Sequence, residues 1–199
     1  MHPAPPGQPD ARIRVFEAAL TAAADAAPGP VRVADIAARA EMSPGHVMYY
    51  FQRRDRILTE TLLYAESQLA TKRDLQLAKS PNAARAMEQL VRLYLPRNRA
   101  DPRWRLWTQV LANAPQDAET RTAIGTAIDA WSAALASVIR NGCSEGSMAC
   151  DDPDQTAYQA CRLMDGYALE VLLGGRGRSR AWALRSVLAA LPQSLSPPT

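Results

Sequence analysis

The chain is predicted to be all-α: an N-terminal three-helix head built around a helix-turn-helix, followed by a larger helical body. Three observations carry this. Apolar residues recur at helical spacing along most of the chain, with abundant Ala, Leu and Arg and few β-branched runs. Proline, glycine and capping residues break that periodicity at intervals of a helix length. Between Val33 and Leu58, two short helical segments flank a tight turn and lead into a basic patch.

The elements follow in order. Residues 1–11, with Pro3, Pro5, Pro6 and Pro9, read as a disordered leader. The head spans 12–56. In its second helix Val33, Ile36, Ala37 and Ala40 form one apolar stripe at i, i+3, i+4, i+7, and Ala37 is small where another helix must cross closely. Ser43 offers a side-chain oxygen as a cap, and Pro44 suits the first helical position, where a missing N–H costs nothing. The third helix is short. Val47 and Phe51 point inward, His46, Tyr49 and Tyr50 outward, and Arg53, Arg54 and Arg56 follow. An exposed polar and aromatic helix held by a helix-turn-helix is the geometry that enters a DNA major groove.

The body spans 57–192. One long helix runs from Arg54 to about Ala78 with Leu58, Leu62, Leu69 and Leu77 inward, joining head to body, and Ser80-Pro81-Asn82 breaks it. A helix from Ala83 places Met87, Leu90, Val91 and Tyr94 on one side before Pro96. Pro102 opens the next, with Trp104, Trp107 and Leu111 on a stripe that Pro115 stops. From Ala118 to Arg140 the period is held by Ile124, Ala127, Trp131, Ala134 and Val138, and Asn141-Gly142 is expected to cap it. After a polar loop, Ala157, Cys161, Met164, Ala168 and Val171 form one stripe, widened by Tyr158, Leu169, Leu172 and Leu173. Gly174-Gly175-Arg176-Gly177 separates this from a last helix carrying Trp182, Val187, Leu188 and Leu191, and 193–199 read as a disordered tail. Two adjacent helices apolar over more than one face want a second copy, so a homodimer through about 154–191 is expected, against the alternative of a covered monomeric core.

Composition excludes several classes. A net charge of +3 is mildly favourable for nucleic acid and decides nothing. No stretch is read as reaching the ~18 uncharged apolar residues of a membrane span, and no signal peptide opens the chain, so the expectation is a cytoplasmic protein with no membrane partner. Only His2 and His46 accompany Cys143, Cys150 and Cys161, without C-x-x-C spacing, so no metal site is expected. Cys161 is placed on a buried helix and the other two in a loop, where a redox pair stays open although nothing nearby lowers a thiol pKa. Arg85, Arg92, Arg97, Arg99, Arg103 and Arg105 form a basic run read as a solvated helix face with a loop. An enzyme is not expected: paired carboxylates, a nucleophile elbow and a phosphate loop are all missing, so no catalytic residue and no cofactor is assigned.

Residues Arg12 to Leu58 resemble the DNA-binding domain of the TetR family of bacterial transcriptional regulators. The resemblance rests on Arg12-x-x-Val15-Phe16-x-Ala18-Ala19, Ile36-Ala37, Ser43-x-Gly45 and the exit Tyr50-Phe51-x-x-Arg54-Asp55-x-Ile57-Leu58, all in order. Gly142-x-x-Glu145-Gly146 and Leu163-x-Asp165-Gly166 are similar to the branch that includes regulators of choline and betaine metabolism. The chain departs from the pattern at Glu41, where the family usually has Gly in the turn, and at Arg32, where Thr or Ser is usual before the second helix.

The resemblance implies a ligand-responsive DNA-binding transcriptional regulator, a repressor released from double-stranded operator DNA by a small-molecule effector. The departures at Glu41 and Arg32 motivate the alternative, a small-molecule sensor or interaction protein of the same fold that has lost DNA binding. Pro44, Gly45, His46 and Tyr49 are the candidates for base edges, and Ser43, Tyr50 and Arg54 for phosphates. Candidate pocket residues are Met87, Tyr94, Trp104, Trp107, Gln109, Trp131, Cys161, Met164, Asp165 and Tyr167, each with a core or interface role as its alternative. Asp165, an acid inside an apolar run, reads either as a hydrogen-bond acceptor at the dimer interface or as a counter-charge for a cationic ligand held by aromatic faces.

Overall fold

The computed structural model describes residues 10–25, 29–113 and 118–191. Among these it is all-helical: α1 (Ala11–Asp25), α2 (Val33–Arg39), α3 (Pro44–Phe51), α4 (Arg54–Ala78), α5 (Ala83–Tyr94), α6 (Pro102–Ala112), α7 (Ala118–Ser144), α8 (Pro153–Leu173) and α9 (Arg180–Ala190). The expectations placed on most of the leader, on Pro115 and on the tail fall outside the described residues. The chain divides into two compact units, one of residues 1–67 with 100–122, the other of 68–99 with 123–199.

In the first unit the head forms as its apolar pattern requires. Val15, Ala19, Ile36, Ala37, Val47, Phe51, Ile57, Leu58 and Leu62 are buried together. Phe16 meets the Phe51 ring edge-on at 5.8 Å and the Tyr64 ring at 5.2 Å. The unit also takes in α6, which packs on α1. Arg105 donates through Nη1 to the carbonyls of Ala23 and Ala24, both at 3.1 Å, and so satisfies acceptors that the end of α1 leaves open. Arg103 is buried against Glu66 at 2.9 Å, and the same carboxylate oxygen accepts the Trp107 indole N–H at 2.7 Å. The basic run is therefore not simply a solvated face: two of its arginines hold the first unit together.

The turn between α2 and α3 shows what the Glu41 departure means. Glu41 takes φ +56°, the left-handed region, while the Met42 N–H reaches back to the Ala37 carbonyl at 2.9 Å. A residue with a Cβ is strained there by about 1 kcal/mol. Arg32 occupies the N-cap of α2 without any side-chain hydrogen bond to the helix. Glu41→Gly is expected to raise stability by up to about 1 kcal/mol, the relief being partly offset by the freer unfolded chain; the denaturant midpoint of the two proteins measures it.

The second unit buries Met87, Leu90, Val91, Leu135, Ile139, Ala157, Cys161, Met164, Ala168, Val171, Ala183 and Val187. α9 packs on both α5 and α8. Gly174, with φ +69°, ends α8 in the left-handed conformation.

α7 runs on through Asn141-Gly142 to Ser144 instead of stopping there. The Met148 side chain fills the space where a Cβ on Gly142 would be, its Sδ 2.5 Å from that position, so a larger residue at 142 would force Met148 to shift. Gly146, at φ +71°, provides the left-handed turn beyond the helix. By length and mean hydropathy α7 is apolar enough to cross a bilayer, although Asp129 interrupts it and no uncharged stretch within it reaches about 18 residues. Its Trp131, Leu135, Val138 and Ile139 are buried in the protein at helical spacing.

Candidate nucleic-acid interface

α3 is built to present its outer face. Ser43 stays extended and its hydroxyl accepts the His46 N–H at 3.1 Å, with Pro44 as the first helical residue. Val47 and Phe51 are fully buried and fix the helix on the head. The opposite side is left open. Ser43, Pro44, Gly45, His46 and Tyr49 are exposed, and Tyr49 retains 79% of its accessible surface. Tyr50 is half-buried, with its ring 5.2 Å from His46 and 5.7 Å from Tyr49. A Cβ on Gly45 would meet nothing within 4 Å, so the protein's own packing does not require glycine there. The outer side of α3 thus carries an exposed aromatic ring, Tyr49, next to the His46 and Tyr50 pair.

Arg54 is arranged differently from the other candidates. Its Nε donates to the Val31 carbonyl at 2.8 Å, Nη2 to Gln109 Oε1 at 3.1 Å, and Nη1 to Asp55 at 3.3 Å. Gln109 Oε1 also accepts the Val31 N–H at 3.1 Å. One guanidinium and one amide thus tie the segment before α2 to the first turn of α4 and to α6. Sequence reasoning missed this node because its members are far apart along the chain, and no local pattern links them. It also missed Gln52, which closes α3 with φ +64°.

The candidate pocket residues divide between the units. Trp104, Trp107 and Gln109 belong to the first, where Trp107 is bonded to Glu66, Gln109 to Arg54 and Val31, and the Arg103 guanidinium lies over Trp104 at 5.1 Å. The others belong to the second. There Tyr94 donates its hydroxyl to Asp165 and meets the Trp131 ring edge-on at 5.0 Å. Arg73 lies over the Trp131 ring at 5.2 Å, and Arg162 pairs with Asp165 at 3.3 Å. Met87, Cys161 and Met164 are core residues, and burial pushes the Cys161 thiol pKa up. Tyr167 stands apart, edge-on to Trp182 at 5.1 Å. Tyr94, Trp131 and Asp165 are therefore the members that come together.

Known proteins frame these surfaces. No curated protein matches the chain in sequence. A family model described as the C-terminal domain of BetI-type transcriptional repressors matches residues 83–195, more than half of the chain. Among solved structures, a transcriptional regulator from Saccharomonospora viridis in complex with choline is 28% identical, with a TM-score of 0.79 over 90% of this chain and 94% of that one. A TetR-family transcriptional regulator from Rhodococcus sp. is 22% identical, with a TM-score of 0.72 over 90% of this chain and 96% of that one. The regulator FadR from Bacillus subtilis, in complex with stearoyl-CoA, is 16% identical with a TM-score of 0.72, covering 92% and 98%. With the helix-turn-helix head in place ahead of the matched region, the chain belongs to the TetR family of transcriptional regulators, in its BetI-type branch.

Proposed function

We propose that the chain is a ligand-responsive repressor that binds operator DNA as a homodimer and is released by a small organic cation. The observation that carries the DNA-binding part is α3, capped by Ser43, anchored by Val47 and Phe51, and open along His46 and Tyr49. Each head sets this helix in one major groove, at half-sites one or more helical turns of about 34 Å apart. His46 and Tyr49, with the backbone at Pro44 and Gly45, read base edges; Ser43 and Tyr50 meet phosphates. Arg54, held on Val31 and Gln109, contributes by keeping the head in shape as well as by charge. The second copy covers α8, whose Tyr158, Leu169 and Leu173 are exposed at 54, 49 and 81% in the single chain.

A gel-shift titration on the chain's own upstream DNA tests this reading, and the same preparation should sediment as a dimer at micromolar concentration. Tyr49→Ala is expected to weaken binding to the preferred sequence by about 1–3 kcal/mol and to relax its choice of bases, with little change on unrelated DNA. Absence of any shift on that DNA would favour instead a sensor of the same fold without DNA binding, the reading that Glu41 and Arg32 motivate.

For the effector, the support is the joining of Tyr94, Trp131 and Asp165 in the second unit, together with the choline held by the Saccharomonospora regulator. Aromatic faces hold a quaternary ammonium by about 0.5–2 kcal/mol each, and a carboxylate supplies the counter-charge. In this structure Arg73 lies over Trp131 and Arg162 pairs with Asp165, so an ammonium ligand would take the place of these guanidinium groups. The effector must prefer the conformation that binds DNA poorly, because equal affinity for both would shift nothing. Choline-like ammonium compounds are expected to raise the melting temperature and release the DNA; hydrophilic anions doing so in their place would overturn the assignment.

A further inference from the structure

The loop between α7 and α8 brings together two thiols that play no part in DNA or effector binding as read above. Cys143 lies in the last turn of α7, and Cys150 precedes Pro153, where α8 begins, by three residues. Their sulfurs are 3.8 Å apart, and both side chains are half-buried. The loop itself holds them there. The Glu145 N–H bonds to the Asn141 carbonyl at 2.9 Å, the Gly146 N–H to Cys143 at 3.1 Å, and the Ser147 N–H to Gly142 at 2.9 Å. Gly146 turns the chain at positive φ, and Met148 then packs onto the bare Cα of Gly142, which returns Cys150 to Cys143. Downstream, Asp152 caps α8 by accepting the N–H groups of Asp154 and Gln155 at 3.0 Å.

We propose that Cys143 and Cys150 form a redox-modifiable pair, which a hydroperoxide closes into a disulfide within this loop. The Cys143 sulfur attacks a peroxide oxygen, the O–O bond breaks, and a sulfenic acid forms as water or an alcohol leaves. Cys150 then gives up its proton, and its sulfur attacks Cys143 Sγ. The S–S bond forms, the S–O bond breaks, and the hydroxyl leaves with that proton as water. Two thiols are oxidised by two electrons, and the peroxide is reduced by the same two. Burial and then the neighbouring Cys143 push the Cys150 thiol pKa up, with Asp151 adding to this and a Thr156 hydrogen bond opposing it, which makes Cys150 the less ready nucleophile toward peroxide and suits it to the second step. An S–S bond of about 2.05 Å requires the sulfurs to come about 2 Å closer, within reach of side-chain rotation.

The ring so closed contains Glu145, whose carboxylate accepts the N–H of Ala83, the first residue of α5, at 3.0 Å. Oxidation would therefore lock the end of α7, the approach to α8 and the cap of α5 as one piece. Cys161, fully buried on α8, is the internal reference thiol.

The test treats the folded full-length wild-type chain with a small excess of hydrogen peroxide, then alkylates it after denaturation and maps it by mass spectrometry. The expected result is that alkylatable thiols fall from three to one, Cys161, through a Cys143–Cys150 link that dithiothreitol reverses. Amide exchange over 141–152 should slow in the oxidised form. Cys150→Ser should instead leave a sulfenic acid at Cys143 that a cyclic dione traps. If in the wild-type chain both cysteines stay alkylatable, or are consumed only as links between two chains or as sulfinic acids, the proposal is overturned, whatever the variant does.

Discussion

Phe51→Ala is expected to destabilise the head by about 3–5 kcal/mol and to abolish DNA binding with it. Phe51 is fully buried at the end of α3. Its ring meets Phe16 edge-on, and the Arg12 guanidinium lies 4.9 Å over it. Arg12 is in turn ion-paired with Glu60 on α4. Removing the ring leaves a cavity under α3 and takes away the surface on which Arg12 rests. Against a domain stability of about 5–15 kcal/mol, this is a large part of the whole. Thermal melting and gel shift should fail together, whereas Phe51→Leu, which keeps most of the volume, should retain both in weakened form. A wild-type melting temperature in Phe51→Ala would show that the head does not depend on this contact.

Arg103→Ala is expected to cost about 3–5 kcal/mol, because it takes an opposing charge and a hydrogen bond away from a carboxylate held out of water. Arg103 and Glu66 side chains are only 10 and 7% exposed, and Glu66 Oε1 receives both Arg103 at 2.9 Å and the Trp107 indole at 2.7 Å. Taking away the cation keeps the Trp107 hydrogen bond on this carboxylate but removes the charge that Arg103 sets against it. The double variant Arg103→Met with Glu66→Gln should recover much of the loss, since it removes the buried charge along with its partner. Arg103→Met alone keeps the packing of the stem, so a denaturant midpoint for it equal to that of the double variant would show that the penalty is lost packing and not lost charge.

The two variants differ in how far each could have been foreseen. Phe51 declares itself in the sequence: it falls one turn after Val47, opposite His46 and Tyr49, on a helix whose start Ser43-Pro44 announces. The Arg103 pair does not. Arg103 sits in a run of six arginines that looks like a solvated face, and two of them, Arg103 and Arg105, go instead to Glu66 and to the carbonyls closing α1. Arg54 matches a family motif, yet its hydrogen bonds go to Val31 and Gln109. Nothing within a helical turn of these residues shows where their partners are.

By itself, the sequence determined the all-helical class, the order of the helix-turn-helix, its cap at Ser43 and the outward face of α3. These are set by interactions over four residues or fewer: side-chain spacing, a capping hydroxyl, a proline without an N–H. It also marked Glu41 as a strained turn residue, and the backbone there is left-handed. Only the tertiary structure decided that α6 belongs with the head, that Tyr94, Trp131 and Asp165 converge, that α7 continues through Gly142, and that Cys143 meets Cys150. The reason is physical: a buried charge or an open carbonyl takes whichever partner the packed chain brings within about 3 Å, and distance along the sequence places almost no limit on that choice.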